Sequence, residues 1–383
     1  MQQQLENRPR ILALDGARGV ACLLVLLHHC GRGTGDSLAA KFFNRMSAAG
    51  WVGVDLFFVL SGFLITGLLL EGRGTPGGLR RFWSRRALRI LPLAYGFLAL
   101  VFFSPIWRDE PWHPALYAEQ VWFWSYANNW LALSNPSLDH GVLGHFWSLA
   151  IEEQFYLVWP IVTLLLAPRH LGRLCVLILG ASLIGHLVAA AQGASTDLVC
   201  SLTPARLDGL MAGAWLATRP YTRDPSAPVR APYRALLHAS WILAALLIVT
   251  TRGLPAGNRV VLSVGLSALA LIFALFLAGL MAAPPGALVR RVCEARPLAS
   301  LGRISYGFYV LHAPVVALLR RHWAPSGSLA DCLGFFTAAL VVSTVLATAS
   351  WFGFERPLLR LRPRGSFSPV LTAGGVKAST LEA

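Results

Sequence analysis

Lysine is nearly absent from this 383-residue chain, which has only Lys41 and Lys377. Its positive charge is therefore arginine, with 33 Lys plus Arg against 18 acidic residues and a formal net charge of +15. No G-x-x-x-x-G-K-[ST] segment occurs, which excludes a phosphate loop of the nucleoside-triphosphatase kind. The six cysteines (Cys22, Cys30, Cys175, Cys200, Cys293 and Cys332) include no C-x-x-C and mostly fall in or beside apolar runs. Neither a disulfide framework nor a metal site is indicated. No nucleic-acid motif and no internal repeat is found. Charge of either sign is scarce, at 13% of residues against 55% hydrophobic, and that balance excludes a water-soluble globule.

What fills the chain instead is apolar sequence in lengths that suit a bilayer, about 20 residues each. Candidate spans run Ile11 to Gly31, Trp51 to Leu70, Leu88 to Trp107, Leu143 to Ala167, Leu174 to Gln192, Thr203 to Ala217, Leu237 to Thr251, Val260 to Ala282, Leu298 to Leu319 and Ala330 to Phe352. The fold class is all-α: a polytopic integral membrane protein of about ten transmembrane helices. The segment Tyr117 to Leu133 (YAEQVWFWSYANNWLAL) carries Trp, Tyr and paired Asn, which suits a headgroup-level or protein-buried stretch better than a lipid-facing span. Asp15 and Arg18 in the first run are wrong for a cleaved signal, so an uncleaved first helix is expected.

Basic residues concentrate in cytoplasmic loops. Ten spans with both termini cytoplasmic place most of the Lys and Arg on that side: Arg8 and Arg10, the Arg73 to Arg89 run, Arg169 and Arg173, Arg219 to Arg234, Arg290 to Arg296, and the tail. Counting the aromatic segment as a span would put the Arg219 and Arg290 clusters outside. The net charge is explained by this anchoring and by anionic membrane lipids as partners, without nucleic acid. Residues 1–357 form the transmembrane domain, and 358–383 read as a polar, disordered cytoplasmic tail.

Ionisable residues inside such helices are expensive, about 2.5–3.5 kcal/mol at mid-membrane, and mark pathways or reaction sites. Arg18 and His29 share the first span, about 16 Å apart along a helix, with Asp15 one turn before Arg18. The alternative for this pair is a snorkelling Arg and a packed His. In Gly53 to Ile65 (GVDLFFVLSGFLI), Asp55 can cap or pair, while Ser61 with Gly62 permits close helix approach. The run Arg80 to Pro92 (RRFWSRRALRILP) holds Arg85, Arg86 and Arg89, the last two on one helix face. Guanidinium forks match phosphate oxygens, so this run suits a phosphate-rich ligand such as coenzyme A, or serves as plain anchoring. In His145 to Pro160 (HFWSLAIEEQFYLVWP) Glu152 and Glu153 point about 100° apart, so they cannot both face one partner, and one can turn inward near His29. Capping or headgroup placement is the other reading. Arg206 with Asp208, and Tyr306 with His312, put further polar groups into apolar helices. A structural ion pair is as good a reading as substrate contact for the first pair, and a packing histidine is the better reading of His312.

Taken in order, LDGARGVACLLVLLHH, GVDLFFVLSGFLI, RFWSRRALRILP, HFWSLAIEEQFYLVWP, RLDGLMAGAWLA, ISYGFYVLHAPV and FERP resemble acyltransferase family 3, the polytopic membrane O-acyltransferases. The resemblance covers almost the whole chain. It implies ten helices, acyl-CoA (acetyl-CoA) as a cytoplasmic co-substrate with no permanently bound cofactor, and a saccharide or glycan acceptor reached from the other side. It carries over Arg18 and His29 as the arginine-to-histidine motif, Arg86 and Arg89 as the paired basic motif, and Glu152 as the first acid of WSLAIEE. His28 stands directly beside His29 as a local ambiguity. Many relatives carry a fused extracytoplasmic esterase-like domain; none is seen here, so direct transfer is the expectation.

A thioester is already activated, so transfer to an alcohol requires a base for the hydroxyl and positive or hydrogen-bonding groups at the developing oxyanion. Neutral His29 suits the base role, with Glu152 or Asp15 expected to orient its ring. A G-x-S-x-G elbow, a His followed five residues later by Asp, and the Asp before His-His-Cys of palmitoyltransferases are all missing. The expected function is O-acyl transfer, of acetyl, to a cell-surface or exported saccharide at a bacterial inner membrane. The alternatives are O-acylation of a macrolide-type metabolite and, from another class, a transporter or flippase for a lipid-linked glycan. Ping-pong and direct transfer, and the oligomeric state, stay open.

Overall fold

Helices account for the regular structure of the computed structural model, which describes residues 11–31, 38–219, 231–284, 286–323 and 328–361; no strand occurs among them. The long ones are α1 (Leu12–Cys30), the shorter amphipathic α2 (Leu38–Ala49), α3 (Val52–Glu71), α4 (Gly78–Phe103), α5 (Phe146–Leu165), α6 (Pro168–Ala191) and α7 (Thr203–Ala217). They are followed by α8 (Ala231–Thr250), α9 (Leu266–Ala282, led by a π-helical turn Val261–Gly265), α10 (Arg296–Arg303), α11 (Ser305–His322) and α12 (Leu329–Ser350). From residue 362 the expected tail lies outside the described residues, as do Arg8, Arg10, Arg223 and Arg230.

Among the described residues six helical stretches are long and apolar enough to cross a membrane: Leu12–Cys30, Leu38–Glu71, Gly78–Phe103, Pro168–Ala191, Val261–Ala282 and Leu329–Leu359. That is fewer than the ten expected, for physical reasons. Glu152 and Glu153 dilute α5, and α7 has only 15 residues, about 22 Å of helix against a hydrocarbon core of about 30 Å. The ninth expected span is broken: Ile304 leaves helical geometry (φ −98°, ψ 13°) and separates α10 from α11. The aromatic segment folds as short pieces, His113–Ala118, Gln120–Trp124, Asn128–Trp130 and Leu131–Ser134, none long enough to span. Its polar groups are tied into the bundle, with Asn129 Nδ2 donating to Thr203 Oγ1 (2.9 Å) and Gln154 Nε2 donating to Asn129 Oδ1 (2.9 Å). Polar bonds of this kind hold helices together where lipid supplies no hydrophobic drive.

Small residues set the closest approach in the bundle. A Cβ on Gly62 of α3 would overlap the Leu210 carbonyl of α7, and one on Gly213 of α7 would overlap the Val59 carbonyl of α3. Both backbones therefore touch directly, and Phe58 and Phe63 fill the space beside the seam. Overpacking such a contact costs about 1–3 kcal/mol. Gly62→Val is expected to lower the thermal midpoint in detergent by several degrees. Gly67→Ala, where a Cβ meets nothing within 4 Å, serves as the neutral control. A Gly62→Val variant melting like the wild type would disprove the seam.

Three helices carry a proline in their interior: Pro92 in α4, Pro160 in α5 and Pro314 in α11. A helical proline leaves the carbonyl four residues earlier without its ladder donor. For Pro160 that is Tyr156, whose carbonyl accepts Trp83 Nε1 at 2.9 Å.

Candidate active site

One chamber lies between α1, α3, α4, α5 and the start of α11, with about 670 Å³ of empty space including its open mouth. Helix α1 contributes Arg18, α3 contributes Ser61, and α4 contributes Arg86 and Arg89, one turn apart. From α5 come Ser148, Glu152, Glu153 and Tyr156, and from α11 Ser305, Tyr306 and Tyr309. Apolar walls are supplied by Val54, Phe57, Phe58, Leu149 and Ile90. Three guanidinium groups and two carboxylates thus share one partly enclosed space, where charge interactions are much stronger than in water.

Glu152 is the best-held member. Its Oε1 accepts from Ser61 Oγ at 2.7 Å, and Tyr156 Oη donates toward Oε2 at 3.3 Å and lies 3.1 Å from Ser61 Oγ. Arg86 sits over the Tyr156 ring, 5.2 Å from its centroid, and over Phe82 at 5.8 Å. Tyr306 Oη donates to the Ile90 carbonyl of α4 at 2.6 Å, bracing the arginine helix against α11. Glu153 lines the same chamber but does not share the Ser61 and Tyr156 contacts of Glu152, as helix positions about 100° apart require. Ser61, read as a packing position, is a hydrogen-bond partner of the acid, and Gly62 alone makes the close approach. Arg85, expected beside Arg86 and Arg89, does not line the chamber.

His29 stands outside this space, at the far end of α1 from Arg18. Its Nδ1 donates to the Val25 carbonyl at 2.9 Å, which leaves the Nε2 lone pair free for a proton. Its ring neighbours are His312 at 4.7 Å and His28 at 5.4 Å between centroids, and its own carbonyl accepts from Arg320. The expected orientation of His29 by Glu152 or Asp15 is therefore corrected. Glu152 lies at the level of Ser61 and Arg86, and Asp15 faces Arg303 at 3.8 Å; a backbone carbonyl and two imidazoles surround His29 instead. His28 turns toward α2, with Nδ1 3.1 Å from the Ser47 carbonyl, so the neighbouring rings have different surroundings.

Chamber and imidazole are divided by the Phe57, Ser148 and Tyr309 side chains. Tyr309 Oη and Ser148 Oγ are 2.5 Å apart, and both donate toward the His145 carbonyl, at 3.2 Å and 3.1 Å. On the far side of that wall the His145 and His312 rings lie 5.4 Å and 5.5 Å from Tyr309. Sequence reading missed Ser148, Tyr156 and Tyr309. The first two had a signal, since Ser148, Glu152 and Tyr156 recur at a spacing of four and so share one face of α5. Tyr309 had none, because its importance comes from a contact between residues 161 positions apart.

The remaining polar residues are structural partners. Arg206 pairs with Asp55 at 2.6 Å, both essentially unexposed, with the guanidinium over Phe58 (5.6 Å) and Trp147 (5.8 Å). The expected Arg206 and Asp208 pair does not form, because residues two apart on a helix point to opposite sides. Asp208 accepts instead from the Gly209 N–H at 2.8 Å and from Ser267 Oγ at 3.3 Å. Among the described residues no group of three or more His, Cys, Asp or Glu is arranged to hold a metal ion.

Comparison with known proteins gives these helices a context. The chain is 28% identical to YrhL of Bacillus subtilis (strain 168) over 381 residues, covering 94% of this chain and 56% of that protein. It is 27% identical to the peptidoglycan O-acetyltransferase OatA of Listeria monocytogenes over 330 residues, 82% of this chain and 50% of that protein. Against the O-acetyltransferase OatA of Staphylococcus aureus (strain NCTC 8325 / PS 47) identity is 25% over 370 residues, 91% of this chain and 57% of that protein. The chain thus spans about half the length of the curated relatives it matches. No solved structure matches. Together with the apolar helices, these likenesses make the chain a multi-pass membrane protein. A family model described as an acyltransferase domain matches residues 11–352, nearly all of the described structure, and the chain belongs to that family.

Proposed function

We propose that the chain is a membrane O-acetyltransferase that moves an acetyl group from acetyl-CoA to a hydroxyl of a cell-envelope saccharide of the peptidoglycan type. The observation that carries this reading is the chamber that Arg18, Arg86 and Arg89 line together with Glu152 inside an apolar helical bundle. The acceptor class is supported by the Listeria relative's name, and the acetyl group by both OatA names. Both termini lie in the cytoplasm of a bacterial plasma membrane in this reading, so the arginine end of α4 faces the donor.

The phosphates of the donor dock on the Arg86 and Arg89 guanidinium groups, whose forked donors fit phosphate oxygens. The long arm of coenzyme A carries the thioester along α1 to His29, about 16 Å from Arg18, once the Phe57, Ser148 and Tyr309 side chains of the intervening wall move aside. His29, held by Val25 with Nε2 unprotonated, takes the proton of the acceptor hydroxyl as that oxygen attacks the thioester carbon; the C–S bond then breaks with its electron pair on sulfur, and His29 returns the proton to give the coenzyme A thiol. Glu152, fixed by Ser61 and Tyr156, balances the arginines and keeps the chamber's donors aimed inward. Removing a charge-assisted phosphate contact costs about 1.5–3 kcal/mol, so Arg89→Ala is expected to raise the KM for acetyl-CoA by about 10- to 100-fold. An unchanged KM in that variant would move donor binding elsewhere.

The direct test uses purified protein in detergent with radiolabelled acetyl-CoA and either muropeptide fragments or unrelated glycans. Label released from the saccharide by mild alkali is the expected result, since O-acetyl esters hydrolyse there. No ester-linked label on any saccharide, from protein that is folded by size exclusion, would overturn the reading.

A further inference from the structure

The wall between the chamber and His29 is held shut by one small cluster of hydrogen bonds. Tyr309 Oη and Ser148 Oγ are 2.5 Å apart, and the His145 carbonyl lies 3.2 Å from the first and 3.1 Å from the second. Both side chains are buried, and both line the chamber. Phe57 packs edge to face on the Tyr309 ring at 5.8 Å and forms the apolar part of the wall. Behind it the His312 ring is 5.5 Å from Tyr309 and 4.7 Å from His29.

Protons are short in this cluster. The two hydroxyls bring one proton each, and the geometry offers them three hydrogen bonds. The carbonyl is crowded as well. His145 is the N-cap of α5, so its oxygen already accepts the first intrahelical N–H and has one lone pair left for two hydroxyls. A secondary amide corrects both deficits, since its N–H supplies a further proton and its C=O a further acceptor. A plain alkyl chain corrects neither, and parting the wall for it leaves buried hydroxyls unpaired, which is costly.

The arm of coenzyme A carries such amides. In the one nearer sulfur the nitrogen is four bonds from the acyl carbon, roughly 5 Å when extended, so an acyl carbon brought to His29 leaves that amide at the level of the wall. The C=O and N–H of a trans amide point to opposite sides of the arm, which suits hydroxyls that arrive from α5 on one side and α11 on the other.

We propose that Ser148 and Tyr309 bind the donor amide nearer the thioester. The pair parts, the amide C=O accepts from one hydroxyl, and the amide N–H donates to the other, whose own proton goes to the His145 carbonyl. The inference rests on the acyl-transfer reading above. It makes the wall a selective one, which opens for a pantetheine thioester without loss of hydrogen bonds and closes again on its own hydroxyls when the arm withdraws.

The experiment compares acetyl-CoA with an analogue of the same length in which two methylenes replace the amide nearer sulfur, leaving phosphates and thioester unchanged. Transfer to muropeptide fragments is measured for wild type, Tyr309→Phe and Ser148→Ala, the serine variant carrying the test should the tyrosine variant fail to fold. In wild type the analogue is expected to lose about 10-fold in kcat/KM. In either variant acetyl-CoA loses about the same factor while the analogue loses less than about threefold, the coupling that a double-mutant cycle reads. Hydroxyls that only pack α5 against α11 would lower both donors alike. A folded variant that keeps the full preference for acetyl-CoA, or a wild type that uses both donors equally, overturns the proposal and leaves the acyl-transfer reading standing. A wild type that acetylates nothing from either donor overturns both.

Discussion

His29→Ala is expected to reduce acetyl transfer by about 10²- to 10⁴-fold with the protein still folded, the range over which a positioned general base contributes. The loss falls on kcat and leaves the KM for the donor nearly unchanged. The imidazole lies beyond the Tyr309 and Ser148 wall, whereas the arginines proposed to grip the donor lie on the near side. His28→Ala provides the contrast: its ring points to the Ser47 carbonyl of α2, and its loss should cost far less activity. Steady-state kinetics of the two single variants decide the matter. Equal losses would mean that the pair acts together, and undiminished transfer by folded His29→Ala would remove the base altogether.

The largest effect on stability is expected at Asp55. Its carboxylate is the partner of an arginine that is 1% exposed, and truncation to Ala leaves that cation buried without its ion-pair partner. Breaking such a pair costs about 3–5 kcal/mol, while replacing both members with apolar residues of similar size is often neutral or better. Asp55→Ala is therefore expected to lower the thermal midpoint sharply, and Asp55→Leu with Arg206→Met to recover most of the loss. The Nε and Nη1 atoms of Arg206 and the Oδ2 atom of Asp55 already lack hydrogen-bond partners. That makes the apolar replacement more favourable. Thermal unfolding in detergent, followed by size exclusion, reads the sign. A double variant no more stable than Asp55→Ala would show that the pair serves for more than its own neutralisation.

Much of the architecture was legible in order and spacing. Runs of apolar sequence located the helices, and α7 coincides with its expected bounds because Pro204 at its first turn and the charged loop after Ala217 mark both ends. Arg86 and Arg89 were readable as one face from their spacing of three. The rest depended on pairings no linear pattern records. Arg206 has acids at positions 55 and 208, and sequence proximity favours the wrong one. The orienting partner of His29 is a carbonyl of its own helix, a group every residue possesses. The break at Ile304 has no proline or glycine at the site itself, and composition gave no reason to expect it.

The prolines of α4, α5 and α11 have a consequence for where the molecule yields. All three helices line the chamber, and each has lost one rung of its ladder at that depth, whereas α3 and α7 touch backbone to backbone along their glycines. Stiffness is therefore distributed unevenly: a firm spine on one side of the reaction space and three pre-weakened staves on the other. Local opening is therefore expected to concentrate in the staves, so that admitting a bulky donor should strain the wall that carries the arginines and leave the spine in register.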